Sequence, residues 1–411
     1  MKSSYYENIK LVYKLLQKNL SLCYYVFKEL NCMKNLNLLI EKNCLNQNKG
    51  ALNIYNSIFY CVIEDEIFSE ISIKRIIYYI DGIIKKFGYF RATLLIEVKS
   101  KRFKDKLSVM FLECLCYYLL VNLRYNVKVC FKIEHNIWTE GIRSSPLRIL
   151  NSYEKKNADK YIQKFQSELY QNHFRRLIKF EDIKNTDILS KTMTNLDIFL
   201  SAFGISEEFR IKVAEVIVEL IGNAGEHGHT DCLVDIDVAD KYKKRNSDGI
   251  FCGVNVAVVN FSDKLVGEAI RKKILENDNQ EGRYKELLDA YIFHRNHFNE
   301  RYTQEDFFNI AAFQHKISGR EKNTTTGGTG LTKLIKALEE LSDTHICYMA
   351  SGDRTIDFNG EYLKYDENRW IGFNSSGNFI SDCPNPGVLT PFRLFLPGVA
   401  YNLNFALEKG E

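Results

Sequence analysis

Proline is scarce in this sequence. There are five in 411 residues, four of them after residue 380, so most of the chain carries few hard breaks in helix or strand. None of the eleven cysteines stands in a C-x-x-C pair, and the closest are Cys114 and Cys116. That spacing excludes the usual zinc and disulfide frameworks and leaves free thiols in a reducing cytoplasm as the expectation. Cys61 lies in the apolar run Ile58-Phe59-Tyr60-Cys61-Val62, where cysteine acts as a small hydrophobe. Long apolar runs are missing too. The most apolar segment, 111–123, contains Glu113 and falls short of the ~20 residues that span a bilayer, so a buried helix is expected there. The opening residues, Met1-Lys2-Ser3-Ser4-Tyr5-Tyr6, lead into no signal-peptide core, and no internal repeat is visible. A net charge of only +4, spread over the chain, gives no ground for a nucleic-acid partner. A cytoplasmic protein without a membrane partner is expected.

What is present is ordinary globular composition, 45% hydrophobic and 26% charged, in a chain long enough for two domains. Residues 5–45 carry helical apolar spacing through Ile9, Val12, Tyr13, Leu16 and Leu20. Residues 92–98 (ATLLIEV) read as a buried strand, 105–125 as an apolar helix and 126–133 (NVKVCFKI) as a second strand. A strand, a crossover helix and a strand imply a parallel βαβ unit. The basic run 99–106 (KSKRFKDK) reads as the solvated turn between strand and helix. Polar residues 156–174 form a connecting segment. Beyond it, 187–203 and 207–226 are helical, 233–238 (LVDIDV) and 253–260 (GVNVAVVN) alternate as strands, and 331–341 is helical. Further strands are expected near 345–350, 368–373 and 392–396, giving an α+β fold of helices over a mixed, mostly antiparallel sheet.

Two segments carry chemistry. In the first, Glu215, Glu219, Asn223 and His227 recur every four residues and form one polar stripe, while Val216, Ile217, Leu220, Ile221 and Ala224 form an apolar face. Glu219 has the chemistry to take a proton from water, and Asn223 offers an oxygen to a hard cation such as Mg²⁺. The second is Thr324-Thr325-Thr326-Gly327-Gly328-Thr329-Gly330-Leu331. Its glycines let backbone approach phosphates, and the helix start after them favours an anion. It is no P-loop, since GxxxxGK[ST] is absent.

In this order the two segments resemble the GHKL family, the nucleotide fold of gyrase, mismatch-repair and histidine-kinase proteins. Residues 219–227 look like its N box, and 327–331 like the glycine box that closes its ATP lid. His345 to Gly352 and Gly387 to Pro397 look like its closing strands. The resemblance covers about 175–400. It implies ATP and Mg²⁺ as ligands, Glu219 as general base and Asn223 as the Mg²⁺ ligand. Thr326, Gly327, Gly328, Thr329, Gly330 and Leu331 would hold the phosphates, and Thr390 would support the adenine side. The stretch 278–326 would be the lid, with Arg283, Arg295, Arg301, His315, Lys316, Arg320 and Lys322 as reservoirs of positive charge. The family's Asp-x-Gly-x-Gly box is altered here. Asn260 takes the place of the Asp, a neutral and weaker acceptor for the adenine amino group, and Asp263 is the substitute if the turn is reshaped.

The expectation is therefore an N-terminal α/β domain over 1–155, STAS-like or partner-docking, a connector over 156–174, a GHKL domain over 175–400 and a tail over 401–411. ATP hydrolysis that drives lid closure and controls a protein partner is the leading reading. A serine kinase of the anti-sigma-factor type and a non-catalytic nucleotide-responsive module are the rivals. The family's habit of dimerising makes a homodimer an expectation. His173 reads as a surface helix histidine, and His294, His297 and His315 lack the acidic or cysteine partners of a metal site.

Overall fold

The computed structural model describes residues 33, 35–44, 52–55, 58–87, 93–131, 145–151, 157–167, 169–170, 173–184, 187–242, 251–276, 281–318, 330–341 and 347–408. The chain is α+β. Most of the helical spacing expected over 5–45 lies outside the described residues, and α1 (Leu36–Asn43) is its visible end.

The first sheet has the order β1 (Asn53–Tyr55), β2 (Ile58–Ile63), β3 (Thr93–Val98), β4 (Asn126–Phe131). β1 pairs antiparallel with β2, while β2, β3 and β4 run parallel, as the βαβ spacing requires. Every second side chain is buried, so one face of the sheet is covered. Two crossover helices cover it. α2 (Glu70–Phe87) turns Ile73, Ile76, Ile77, Ile80 and Ile83 inward at helical spacing. α3 (Lys106–Val121) starts where the Asp105 carboxylate accepts the Ser108 amide at 2.8 Å and is buried nearly all round, from Leu107 to Leu120. A helix apolar on every side needs a covering on both sides, and α3 has one.

That second covering is the larger sheet. Its order is β9 (Tyr348–Asp357), β10 (Leu389–Glu408), β8 (Phe251–Asn260), β7 (Cys232–Tyr242), β6 (His173–Ile178), β5 (Leu169–Tyr170), antiparallel throughout. The back of this sheet presents Leu233, Ala257, Val259, Phe261, Ala350 and Leu396 to the same core as α2, α3 and the first sheet. α4 (Asn157–Gln166), in the expected connector, buries Tyr161 and Phe165 in that core. At about 1.5–3 kcal/mol for each large apolar side chain buried, the two halves of the chain share a substantial stabilisation.

The front of the sheet carries α5 (Asp187–Ser201), α6 (Glu207–Asn223), α7 (Glu268–Leu275), α8 (Arg283–His294), α9 (Gln304–Ala311) and α10 (Gly330–Leu341) over a separate core. The layers therefore alternate as sheet, helices, sheet, helices.

Three expectations fail here. The tail beginning at 401 is the second half of β10, paired with β8 through Glu408. No strand forms at 368–373, because the amides there bond to side chains instead: Trp370 to Asp366 at 2.7 Å and Ile371 to Gln314 at 2.8 Å. Much of the expected polar lid is packed helix. Phe307, Phe308 and Ile310 of α9 and Leu287 of α8 belong to the front core, and Thr303 and Asp306 form a capping box. Among the described residues, no helix is long and apolar enough to cross a membrane.

Candidate functional site

α6 forms because its apolar residues recur at helical spacing over the front of the sheet. Val213, Val216, Ile217, Leu220 and Ile221 are buried, and Glu215, Glu219 and Asn223 on the other side are half-buried. Past Asn223 the helix widens into a π turn, Ala224–Gly228, and stops at His229 in the left-handed region with φ 50°. His227, the last residue of the stripe, lies within that widened turn, a device found often at functional sites.

α10 packs across α6 in the opposite sense. Near its start Lys333 meets Glu215 at 3.1 Å, and near its end Glu340 meets Lys212 at 2.8 Å. The start of α10, Gly330 and the half-buried Leu331, thus points towards the Glu219–Asn223 end of α6. Thr326, Gly327, Gly328 and Thr329 lie outside the described residues, as do Arg320 and Lys322.

The end of α6 is stitched to the turn after β8, and β9 to the middle of β10. Ser262 Oγ donates to the Gly228 carbonyl at 2.8 Å, Thr230 Oγ1 to the Phe261 carbonyl at 2.7 Å, and Ser351 Oγ to the Gly398 carbonyl at 2.8 Å. Asn260, the last residue of β8 and 5% exposed, accepts the Val399 amide on its side-chain oxygen at 3.1 Å. Gly398 has φ 93°, and a Cβ there would lie 2.5 Å from the Asn260 carbonyl oxygen, so glycine alone fits. Asp263 is exposed, two residues past the buried Phe261.

Thr390 is not part of this cluster. It sits in the first half of β10, where Thr355 of β9 faces it with the two hydroxyls 2.5 Å apart. Gly398 and Val399 occupy the register beside Asn260. The missed signal was the second apolar alternation after Pro397-Gly398, which marks a continuing strand rather than an end.

Of the basic residues expected to reach a phosphate, Arg283 donates to the Asn368 and Arg369 carbonyls and stacks on Trp370 at 3.9 Å. His315 lies 2.9 Å from the Arg369 guanidinium. Arg295, Arg301 and Lys316 are exposed. His294 is fully buried between the Phe379 carbonyl and the Tyr302 hydroxyl, and burial holds its pKa below the ordinary value.

A second polar group is hidden on the back of the sheet. His173 is no surface helix residue; it lies in β6, 1% exposed, 2.6 Å from the Asp235 carboxylate. Arg175 bridges Asp235 at 2.6 Å and Glu113 of α3 at 2.7 Å, and Lys106 of α3 touches Asp235 and Asp237. Lys106 thereby leaves the basic run expected to be solvated. His173, Asp235 and Asp237 are the trio among the described residues with metal-ligand spacing. The positive charge that a metal would bring is already supplied by Lys106 and Arg175, so the group reads as an internal ion network. Its signal in the sequence was the alternation of Asp235 and Asp237 in β7.

No protein-family model, no curated protein and no solved structure matches the chain.

Proposed function

We propose that the chain binds ATP with Mg²⁺ along the seam of α6 and α10 and hydrolyses it to control a protein partner. The observation that carries this reading is the opposed packing of the two helices, which aims a glycine-led helix start at the half-exposed Glu219 and Asn223. The donors suit the ligand: a carboxamide oxygen and a carboxylate one turn apart are hard oxygen donors of the kind Mg²⁺ prefers. When bound, the ion supplies charge to the phosphates. Asn223 holds it, the amides at the start of α10 meet the phosphate oxygens, and Glu219 takes the proton from an attacking water. With Asn260 bonded to Val399, the adenine side has a neutral acceptor already in use, and nucleotide selectivity is expected to be loose.

Thermal unfolding with ATP, ADP and GTP, with and without Mg²⁺, tests the reading. Stabilisation by ATP that requires Mg²⁺ and disappears in Asn223→Ala supports it; no shift with any nucleotide sinks it. Labelled γ-phosphate then separates release as free phosphate from transfer to a serine of a partner protein, the kinase alternative.

A further inference from the structure

A cavity of about 300 Å³ opens at the end of the large sheet, between α7, α9, α1 and the turn after β8. Its lining residues include neither Glu219 nor Asn223, but they do include Ser262 and Asp263, the latter the substitute adenine acceptor of the sequence reading, so a nucleotide is the competing occupant. The volume is at the lower end of small-ligand sites. Leu265, Phe308, Phe395 and Pro397 give it apolar walls. Asn43 fixes the Phe395 wall by accepting its amide and donating to its carbonyl, both at 2.8 Å.

Two of its lining side chains carry buried polar atoms with no hydrogen-bond partner. Asn309 is 1% exposed; its oxygen accepts the Gly267 amide at 3.2 Å, and its Nδ2 is unpartnered. Glu305, one helical turn earlier on α9, has an unpartnered Oε1. An orphaned buried donor and an orphaned buried acceptor on one helix face are costly unless something completes them. Both atoms lie beneath the cavity surface at rest. Glu305 Oε1 lies in the space that the missing Cβ of Gly352 leaves, and Asn309 holds the Gly267 amide, so meeting an occupant requires both side chains to turn about their broad terminal torsions.

The charges around Glu305 favour a cation beside it. Asp306 of α9 and Asp353 of β9 add negative potential; Arg354 of β9 is paired with Asp306 at 2.7 Å, Arg271 of α7 lies at the exposed rim with Lys42 of α1, and Asp263 and Glu268, the latter paired with Lys272, line the same cavity. Burial first, then the two aspartates, push the Glu305 pKa up to about 7.

We propose that this cavity binds a small apolar α-amino acid, its ammonium group meeting Glu305, its carboxylate meeting Asn309 Nδ2 and the rim cations, and its side chain lying on the apolar wall. The orphaned acceptor takes the ligand's donor, and the orphaned donor takes its acceptor. Binding of an ammonium requires the ionised carboxylate, so affinity falls about tenfold from pH 8 to pH 6.

Calorimetric titration of the full-length chain with L-phenylalanine and L-leucine is the test, alongside 3-phenylpropionate, which lacks the ammonium. The expected result is binding of the amino acids and at least tenfold weaker binding of 3-phenylpropionate. Glu305→Gln should weaken L-phenylalanine at least tenfold and flatten the pH dependence. Leu265→Trp, at a half-exposed position, should block the cavity with Glu305 intact. Absence of binding by both amino acids overturns the proposal, as does equal binding of 3-phenylpropionate. Displacement of L-phenylalanine by AMP also overturns it, since the cavity would then be a nucleotide pocket.

Discussion

The two faces of the large sheet handle polar residues in opposite ways. On the front, α6 keeps Glu219 and Asn223 half-exposed above an apolar core. On the back, α3 brings its own Glu113 onto His173, Arg175, Asp235 and Asp237, each at most 5% exposed and tied into one network. A polar stripe left open can meet a ligand; one sealed and mutually paired holds the layers together. The same sheet thus leaves one polar stripe within reach of solvent and seals the other.

The largest expected effect lies on the back. Arg175→Met leaves Glu113 and Asp235 buried without their shared cation and should destabilise the chain by roughly 3–5 kcal/mol in urea unfolding. A loss below about 1 kcal/mol would mean that the back network carries little of the fold. Acid should expose the same network. Burial raises the Asp235 pKa, but His173, Lys106 and Arg175 outweigh it and hold the carboxyl well below its ordinary value of 3.8. Its stabilisation is therefore present above that value and lost as pH falls below it, so stability measured from pH 5 to pH 2 should drop more steeply in the wild type than in Asp235→Asn.

On the front, Glu219→Gln should leave folding and ATP binding in place and lower turnover by about 10²–10⁴. Wild-type turnover in that variant removes Glu219 from the chemistry. Between the faces, Gly398→Ala forces a Cβ against Asn260 at a positive φ and should destabilise by about 1–3 kcal/mol, read from the denaturation midpoint. The smallest effect belongs to Lys333→Ala. Its pair with Glu215 is exposed, and thermal unfolding should move by no more than about 1 kcal/mol equivalent.

Regular elements were legible in the sequence where pattern and covering agreed. The β3–α3–β4 unit comes from two apolar runs around an apolar helix, and α6 from its four-residue stripe. The pattern misled where tertiary covering reversed it. Asp235 and Asp237 alternate as a wet face would, yet α3 buries them. β10 runs through Pro391 and Pro397, which read as breakers; its register against β9 shifts around Gly352, so the strand continues past both. Thr390, which the resemblance put on the adenine side, lies nine residues from Val399, the partner of Asn260. α8 and α9 fall in the stretch expected as lid because their outer faces are polar; Phe307 and Phe308, side by side, were the clue to packing.

α3 also bears on whether the two halves of the chain can be parted. A helix clasped by two sheets belongs to neither, so the N-terminal sheet cannot be traded for another module without rewriting the back of its neighbour. Leu233, Val259, Phe261 and Leu396 would stand bare in any truncated heir. The two halves of the chain form one body, and neither lifts out whole.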